Sequence, residues 1–143
     1  MFKLDEQLAS DCILLGDFKL STLLLMDDAQ YPWFILVPRR EDMTEIFQLS
    51  AADRAQLMAE SCLLAETLKD GFGADKINIA ALGNVVAQLH VHHVVRYRVD
   101  AVWPAPVWGK LPVVKCPPKL IAERVGRLRA VLTGGFTFAE SWR

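Results

Sequence analysis

Residues 50–73, "SAADRAQLMAESCLLAETLKDGFG", restrict the fold more than any other segment. Leu57, Ser61, Leu64, Leu68 and Phe72 recur at helical spacing, so one side of a long helix is nearly continuous in its burial signal. Ser50 is placed to cap its N-terminus, with Asp53 three residues on as a weak capping box, and Gly71 and Gly73 can stop it. "MTEIFQL" predicts a shorter helical turn just before it. A helix with one apolar face must bury that face against another layer.

The neighbouring segments supply that layer. "CILLGDF" and "KLSTLLLMDD" are apolar runs of strand length with a polar break between them, and they predict a hairpin. "AQYP" reads as a turn and "WFILVPRR" as a third strand ended by Pro38. "KINIAAL" reads as a fourth strand, "GN" as a tight turn and "VVAQLHVHHVVRYRV" as a fifth strand. "LDEQLASD" can form a short helix at the start. Near the end, Ile121, Val125, Leu128 and Leu132 repeat at helical spacing, with Pro117–Pro118 suited to the helix start. Gly134–Gly135 then release a tail, "FTFAESWR". The order strands, helix, strands, helix predicts an α+β domain. Its antiparallel sheet has about five strands, with the helices packed on one side. Regular strand–helix alternation, the mark of a doubly wound parallel sheet, is absent. With no repeat, linker or low-complexity tract, residues 1–143 read as a single domain.

Composition narrows the function classes. Just over half of the residues are hydrophobic, which excludes disorder as the main state. The net charge of −1 carries no basic excess for a nucleic-acid partner, while a small anionic ligand needs only a local site. Cys12, Cys62 and Cys116 are scattered and odd in number, the pattern of reduced thiols in a cytoplasmic chain, each read as a small core residue. The mixed, charged start does not read as a signal peptide, and no apolar run approaches the roughly 20 residues needed to cross a bilayer.

All three histidines fall in "QLHVHHVVR", residues 88–96. On a strand, residues two apart share a face, so Gln88, His90 and His92 point one way and Leu89, Val91 and His93 the other. The second face is otherwise apolar and belongs on the core. There His93 reads as a histidine satisfied in the core or at a subunit interface. The first face is a polar row with groups about 7 Å apart. It suits a cleft better than burial without partners. Four readings of this row stay open: a solvated strand face, a metal site, a phosphate-directed nucleophile with an acid–base partner, and acyl transfer. His-x-His is a start for zinc, but a third ligand would have to be an Asp, Glu or distant Cys. Neutral imidazole is available at pH 7 as a nucleophile. Acyl transfer has little support, because there is no G-x-S-x-G elbow and no cysteine adjoins a histidine.

"GNVVAQLHVHHVVRY" resembles the histidine-triad signature of the HIT superfamily, three histidines alternating with hydrophobic residues. The preceding "GN" sits where that family places Gly followed by Gln or Asn, and "FILVPRR" resembles its earlier strand ending in Val-Pro-Lys/Arg. The resemblance covers about residues 10–100, leaving a C-terminal extension over about 101–143. "WPAPVWG" in that extension lies outside the general pattern. The resemblance implies a HIT-like fold, a homodimer, and a small-molecule nucleotide as ligand. It implies no required cofactor and allows a divalent metal on the substrate. His90 takes the position of the nucleophile, which attacks the α-phosphorus and forms a nucleotidyl-histidine. His92 takes the position that binds a non-bridging phosphate oxygen. Gly83 and Asn84 fall at the phosphate, and Asn78 at a nearby polar position. Asp27 or Asp28 falls where the family places a ribose-hydroxyl acceptor, and Leu25 and Met26 would line the base pocket.

The first triad position holds Gln88, and glutamine cannot transfer a proton near pH 7. Trp33 stands where some relatives carry a further histidine. The expected substrate is therefore one with a good leaving group, a dinucleoside polyphosphate or nucleotide conjugate, over a phosphoramidate whose amine departs protonated. Two alternatives to the hydrolase stand beside it: a non-catalytic nucleotide-binding or regulatory module, and a metal-binding protein built on His90 and His92. Arg96 either adds positive field to the triad face or anchors the turn through a carbonyl or Asp100. Trp33, Trp103, Trp108 and Trp142 read as structural or dimer residues, with the terminal "ESWR" able to reach over a site.

Overall fold

The computed structural model describes residues 1–140. Trp142 and most of "ESWR" lie outside the described residues. The chain runs α1 (Glu6–Asp11), β1 (Cys12–Phe18), β2 (Ser21–Met26), β3 (Trp33–Pro38), a 3-10 turn (Ile46–Gln48), α2 (Ala51–Phe72), β4 (Lys76–Ala80), β5 (Val91–Arg96), α3 (Pro118–Val131) and β6 (Phe136–Phe138). The strands form one antiparallel sheet in the order β4-β5-β3-β2-β1-β6. This is the expected α+β architecture with one strand more than the expected five. No helix among the described residues is long and apolar enough to cross a membrane.

The sheet divides its side chains by parity. Ile13, Leu15, Leu23, Leu25, Phe34, Leu36, Val91 and Val95 pack with Leu57, Leu64, Leu68 and Phe72 of α2 and Val125 and Leu128 of α3. The helical stripe read from the sequence is therefore buried, and both long helices cover this face. Ser50 caps α2 by accepting the Asp53 N–H, and Gly73 closes it in the left-handed region. On the opposite face, Leu24, Trp33, Ile35, Val37 and Val94 pack with Leu8 of α1 and Val107 of the C-terminal segment. So α1 and the 102–108 segment cover what the long helices leave open.

A buried carboxylate joins helix to hairpin. Glu60 of α2 accepts the backbone N–H groups of Leu20 and Ser21 at 2.8 and 3.0 Å. Those two amides sit at the β1–β2 turn and would otherwise be buried without partners.

Two strand expectations need correction. The strand expected over residues 85–99 is confined to Val91–Arg96, and His90 precedes it. Residues 81–90 form an irregular segment, so Gln88 has no strand parity with the histidines. The tail after Gly134–Gly135 returns as β6 and pairs with β1 through Gly16↔Phe138, Asp17↔Thr137 and Phe18↔Phe136. Gly16 permits that return. Its φ is +152°, and a Cβ there would lie 2.2 Å from the Thr137 carbonyl oxygen.

Candidate functional site

The cleft beside the histidines has a volume of about 270 Å³ and lies on the face not covered by α2 and α3. His90, His92, Gly83 and Asn84 line it, with Met26, Trp33, Ile35, Val86 and Trp108 as largely apolar wall. α1 adds Gln7, Leu8 and Asp11. The fold thus brings together a polar end, made by the histidines and the Gly83–Asn84 turn, and an apolar floor.

The two imidazoles are held in different tautomers. His90 Nδ1 lies 2.7 Å from the Gln88 carbonyl oxygen. A carbonyl only accepts, so neutral His90 carries its proton on Nδ1 and leaves the lone pair on Nε2. His92 Nδ1 lies 3.0 Å from Trp33 Nε1. An indole only donates, so neutral His92 accepts at Nδ1 and carries its proton on Nε2. One ring presents a nucleophilic nitrogen and its neighbour an N–H donor. Their centroids are 4.8 Å apart and the rings are edge-on. That is closer than the spacing expected along a regular strand, because His90 leaves the strand.

Burial fixes the charge of His92. Its pKa falls to about 3, first through desolvation and then through the proximity of His90 and His93. Trp33 and Trp108 each pack edge-on to its ring, at 5.6 and 5.4 Å between centroids. At pH 7 His92 is therefore a neutral donor.

His93 points the other way, as expected. It is fully buried, its Nδ1 donates to the Val91 carbonyl, and its Nε2 accepts from the Ser61 hydroxyl at 2.7 Å. Desolvation lowers its pKa to about 4. Ser61 had read from its spacing as one more position on the buried helix face; it also supplies the partner of a core histidine.

The remaining sequence candidates divide. Met26, Gly83 and Asn84 line the cleft. Leu25, expected beside Met26 in the base pocket, belongs to the core on the opposite face of the sheet. Asn78 is on β4 away from the cleft lining, and its Oδ1 accepts from Arg96 at 2.7 Å. Arg96 is buried and bonds Asp100 through two nitrogens and the Ala105 carbonyl through a third contact. It anchors the turn and does not line the cleft. Asp27 does not line the cleft either; its Oδ1 accepts the Cys116 N–H at 2.8 Å. Asp28 is buried and accepts the Gln30 N–H. These two carboxylates hold the C-terminal segment and a turn.

Gln88 is also committed. Its Oε1 accepts the Asp5 N–H and its Nε2 donates to the Lys3 carbonyl, both at 2.8 Å. It lines an adjoining cleft of about 430 Å³ that His90 shares with Thr44, Arg54 and Leu82. The side chain clips the N-terminal segment, while its own carbonyl orients His90. Among the described residues no group of three or more His, Cys, Asp or Glu is placed to hold a metal ion.

Sequence reasoning missed Leu8, Asp11, Cys12, Val86 and Trp108 as cleft residues. α1 is too short, and "WPAPVWG" too irregular, for periodicity to say which way their side chains face. The Cys12 thiol, pushed up to about 12 by burial and nearby carboxylates, is an inert wall group.

An antiparallel sheet with a helix-covered face and a histidine pair at the opposite cleft defines the structural class, and the comparisons with known proteins give it a family. The HIT domain family matches residues 7–99. A histidine triad protein from Marinobacter aquaeolei is 46% identical, covering 92% of this chain and 96% of that one with a TM-score of 0.89. One from Sinorhizobium meliloti is 44% identical over 92% and 98%, with a TM-score of 0.90. One from Bradyrhizobium japonicum is 43% identical over 91% and 97%, with a TM-score of 0.89. The curated proteins gave no match. The chain belongs to the HIT domain family, a fold that suggests nucleotide-binding or nucleotide hydrolase or transferase activity.

Proposed function

We propose that this protein is a nucleotidyl hydrolase or transferase that acts on the α-phosphate of a nucleotide conjugate such as a dinucleoside polyphosphate. The complementary tautomers carry the reading. His90 Nε2, with its lone pair, attacks phosphorus. The N–P bond forms as the bond to the leaving oxygen breaks, and that oxygen departs with the electron pair. The Gln88 carbonyl supports the positive charge that develops on the ring. His92 Nε2–H donates to a non-bridging oxygen as negative charge builds there. The Gly83–Asn84 turn lies beside the same phosphate. Water then attacks phosphorus, the N–P bond breaks, and His90 regains its neutral form as the water proton passes to solvent or product.

A phosphate leaving group departs without a proton, so this scheme needs no acid at position 88. That also favours anhydrides over phosphoramidates. No required cofactor enters, and the working partner is the nucleotide, with a homodimer as the proposed assembly in the cytoplasm.

Incubation with diadenosine polyphosphates, acid-free quenching and intact-mass analysis tests the reading. The expected result is a nucleotidyl adduct on His90 that turns over, with both adduct and turnover lost in His90→Ala. A second reading, a nucleotide-binding module without turnover, is favoured by the engagement of Gln88 with the N-terminal segment. It predicts tight nucleotide binding and no adduct.

A further inference from the structure

We infer that the N-terminal segment is a positioning strap for the nucleophile. Residues 3–5 act through the Gln88 side chain on the 88–89 peptide, and that peptide holds His90 with its proton on Nδ1. The inference rests on the nucleotidyl-transfer reading above, and it makes Gln88 a positioning residue in place of a proton donor.

The peptide between Gln88 and Leu89 is a rigid plane. At its Leu89 end the N–H donates to the Met43 carbonyl at 2.9 Å, and the Leu89 side chain is buried in the core. At its Gln88 end the carbonyl accepts from His90 Nδ1 at 2.7 Å. Gln88 lies on the irregular segment before β5, where no strand ladder fixes the backbone. Its side chain supplies that hold. Oε1 accepts the Asp5 N–H and Nε2 donates to the Lys3 carbonyl, both at 2.8 Å. The carbonyl of residue 3 and the N–H of residue 5 are offered together, as a strand offers them to its neighbour. The carboxamide meets both because it carries a donor and an acceptor on one plane, which a carboxylate does not.

A strap can position what it grips only if it is fixed itself. Phe2 and Leu4 pack against the apolar cluster that holds Leu8, Trp33 and Val94, while Lys3 between them is exposed. The segment then enters α1 at Asp5, whose carboxylate caps the helix by accepting the Gln7 N–H. Burial on one side and a helix start on the other hold residues 3–5 without help from Gln88.

The reaction gives this hold a use. His90 Nδ1–H to the Gln88 carbonyl and Leu89 N–H to the Met43 carbonyl are two hydrogen bonds in series through one amide, and each polarises the other. Positive charge that forms on the ring when Nε2 attacks is spread along that series. A swing of the Gln88 end weakens the first bond and lets the ring place its proton on Nε2. The lone pair needed for attack is then lost.

Three variants test the strap. Gln88→Met keeps the length of the side chain and loses both bonds. Asp5→Pro removes the N–H given to Oε1, and with it the cap; the φ of −54° at this position suits proline. Asp5→Ala loses the cap alone. ¹⁵N spectra at pH 8 should show His90 in mixed tautomers in Gln88→Met and Asp5→Pro, and in the wild-type form in Asp5→Ala. Hydrolysis of a diadenosine polyphosphate should lose about tenfold in kcat in the first two, with KM within about twofold, because the nucleophile is misplaced while the binding contacts stay. An unchanged tautomer in Gln88→Met and Asp5→Pro overturns the strap, and so does an Asp5→Ala that matches Asp5→Pro. A shifted tautomer with unchanged kcat, or a loss confined to KM, overturns its role in the reaction. A wild type that turns over no nucleotide removes the hydrolase reading, and the tautomers then decide the strap by themselves.

Discussion

Trp33 donates its indole N–H to His92 Nδ1 at 3.0 Å, and this one bond decides which nitrogen of His92 faces the cleft with a proton. Both residues are buried, and they sit on adjacent strands with Ile35 directly opposite His92.

Trp33→Phe removes the donor and keeps an aromatic wall. His92 should then populate the Nδ1–H tautomer alongside the Nε2–H form, visible in its ¹⁵N chemical shifts. Nucleotidyl transfer should slow by about tenfold, a fraction of the cost of deleting an oxyanion donor, because the donating tautomer remains partly populated. An altered tautomer with an unaltered rate would remove His92 from the role of phosphate donor.

The two neutral buried imidazoles also set the acid stability. His92 and His93 have folded pKa values of about 3 and about 4, below the 6.5 of an exposed histidine. Between pH 6.5 and 4 the unfolded chain binds protons that the folded chain does not, so stability falls as pH is lowered through this window. Two such groups give a slope of at most about 2.7 kcal/mol per pH unit, since each contributes about 1.36. Asp100 works in a separate range. Although burial alone would raise it, its bonds to Arg96 and to backbone amides hold it below the usual carboxylate value, so its contribution fades only below about pH 3.8. Urea titrations at pH 7, 5.5 and 4.5 should show the loss, and His93→Gln should reduce the slope by about half. A pH-independent midpoint over this range would contradict the burial account.

The sheet and its helix were legible because both rest on periodicity. The α2 stripe and the alternation of β5 after Val91 fix which residues are inside, and His93 followed from that alternation alone. Legibility failed where periodicity stops. Gln88 and His90 lie on an irregular segment, so counting by twos aligned Gln88 with the histidines when its amide is tied to Lys3 and Asp5. Leu25 was misplaced because it adjoins Met26 on β2, where neighbouring residues face opposite sides of the sheet. Asn78 and Asp27 were misplaced for another reason: a motif position gives a residue's neighbourhood and not the partner its side chain takes. Asn78 went to Arg96 at the end of β5, and Asp27 went to the Cys116 amide in a C-terminal segment that the motif does not include. β6 was missed because three residues after two glycines carry almost no pattern.

Gln88 should therefore behave as a clip. Gln88→Leu loses two hydrogen bonds to the N-terminal segment and should cost about 1–3 kcal/mol, with faster proteolysis around residues 1–5. Gln88→His should not raise phosphoramidate cleavage, because the position aims its side chain at Lys3 and Asp5. Kinetics on a nucleoside phosphoramidate decide this. A clear gain with histidine would show that the side chain can turn toward the leaving group.

Gly16 gives the most local test of the fold. Its φ of +152° is strained for any L side chain, and an added Cβ would meet the Thr137 carbonyl at 2.2 Å and the Phe136 ring at 2.8 Å. The Thr137 carbonyl, and the Phe138 Cα at 2.9 Å, are backbone of β6 and leave no cheap adjustment, so β6 must move away. Gly16→Ala should cost about 2–3 kcal/mol, combining backbone strain with the lost pairing of β6. Gly73→Ala is the comparison, since Gly73 has φ +59° with nothing within 4 Å of a Cβ. It should cost only the left-handed penalty of about 1 kcal/mol. Hydrogen exchange separates the two. In Gly16→Ala the amides of Phe136–Phe138 and Ala139, whose N–H donates to Leu15, should lose protection while β2 and β3 keep theirs. Retained protection in β6 would mean that β1 can bulge further at this point than the contact distances allow.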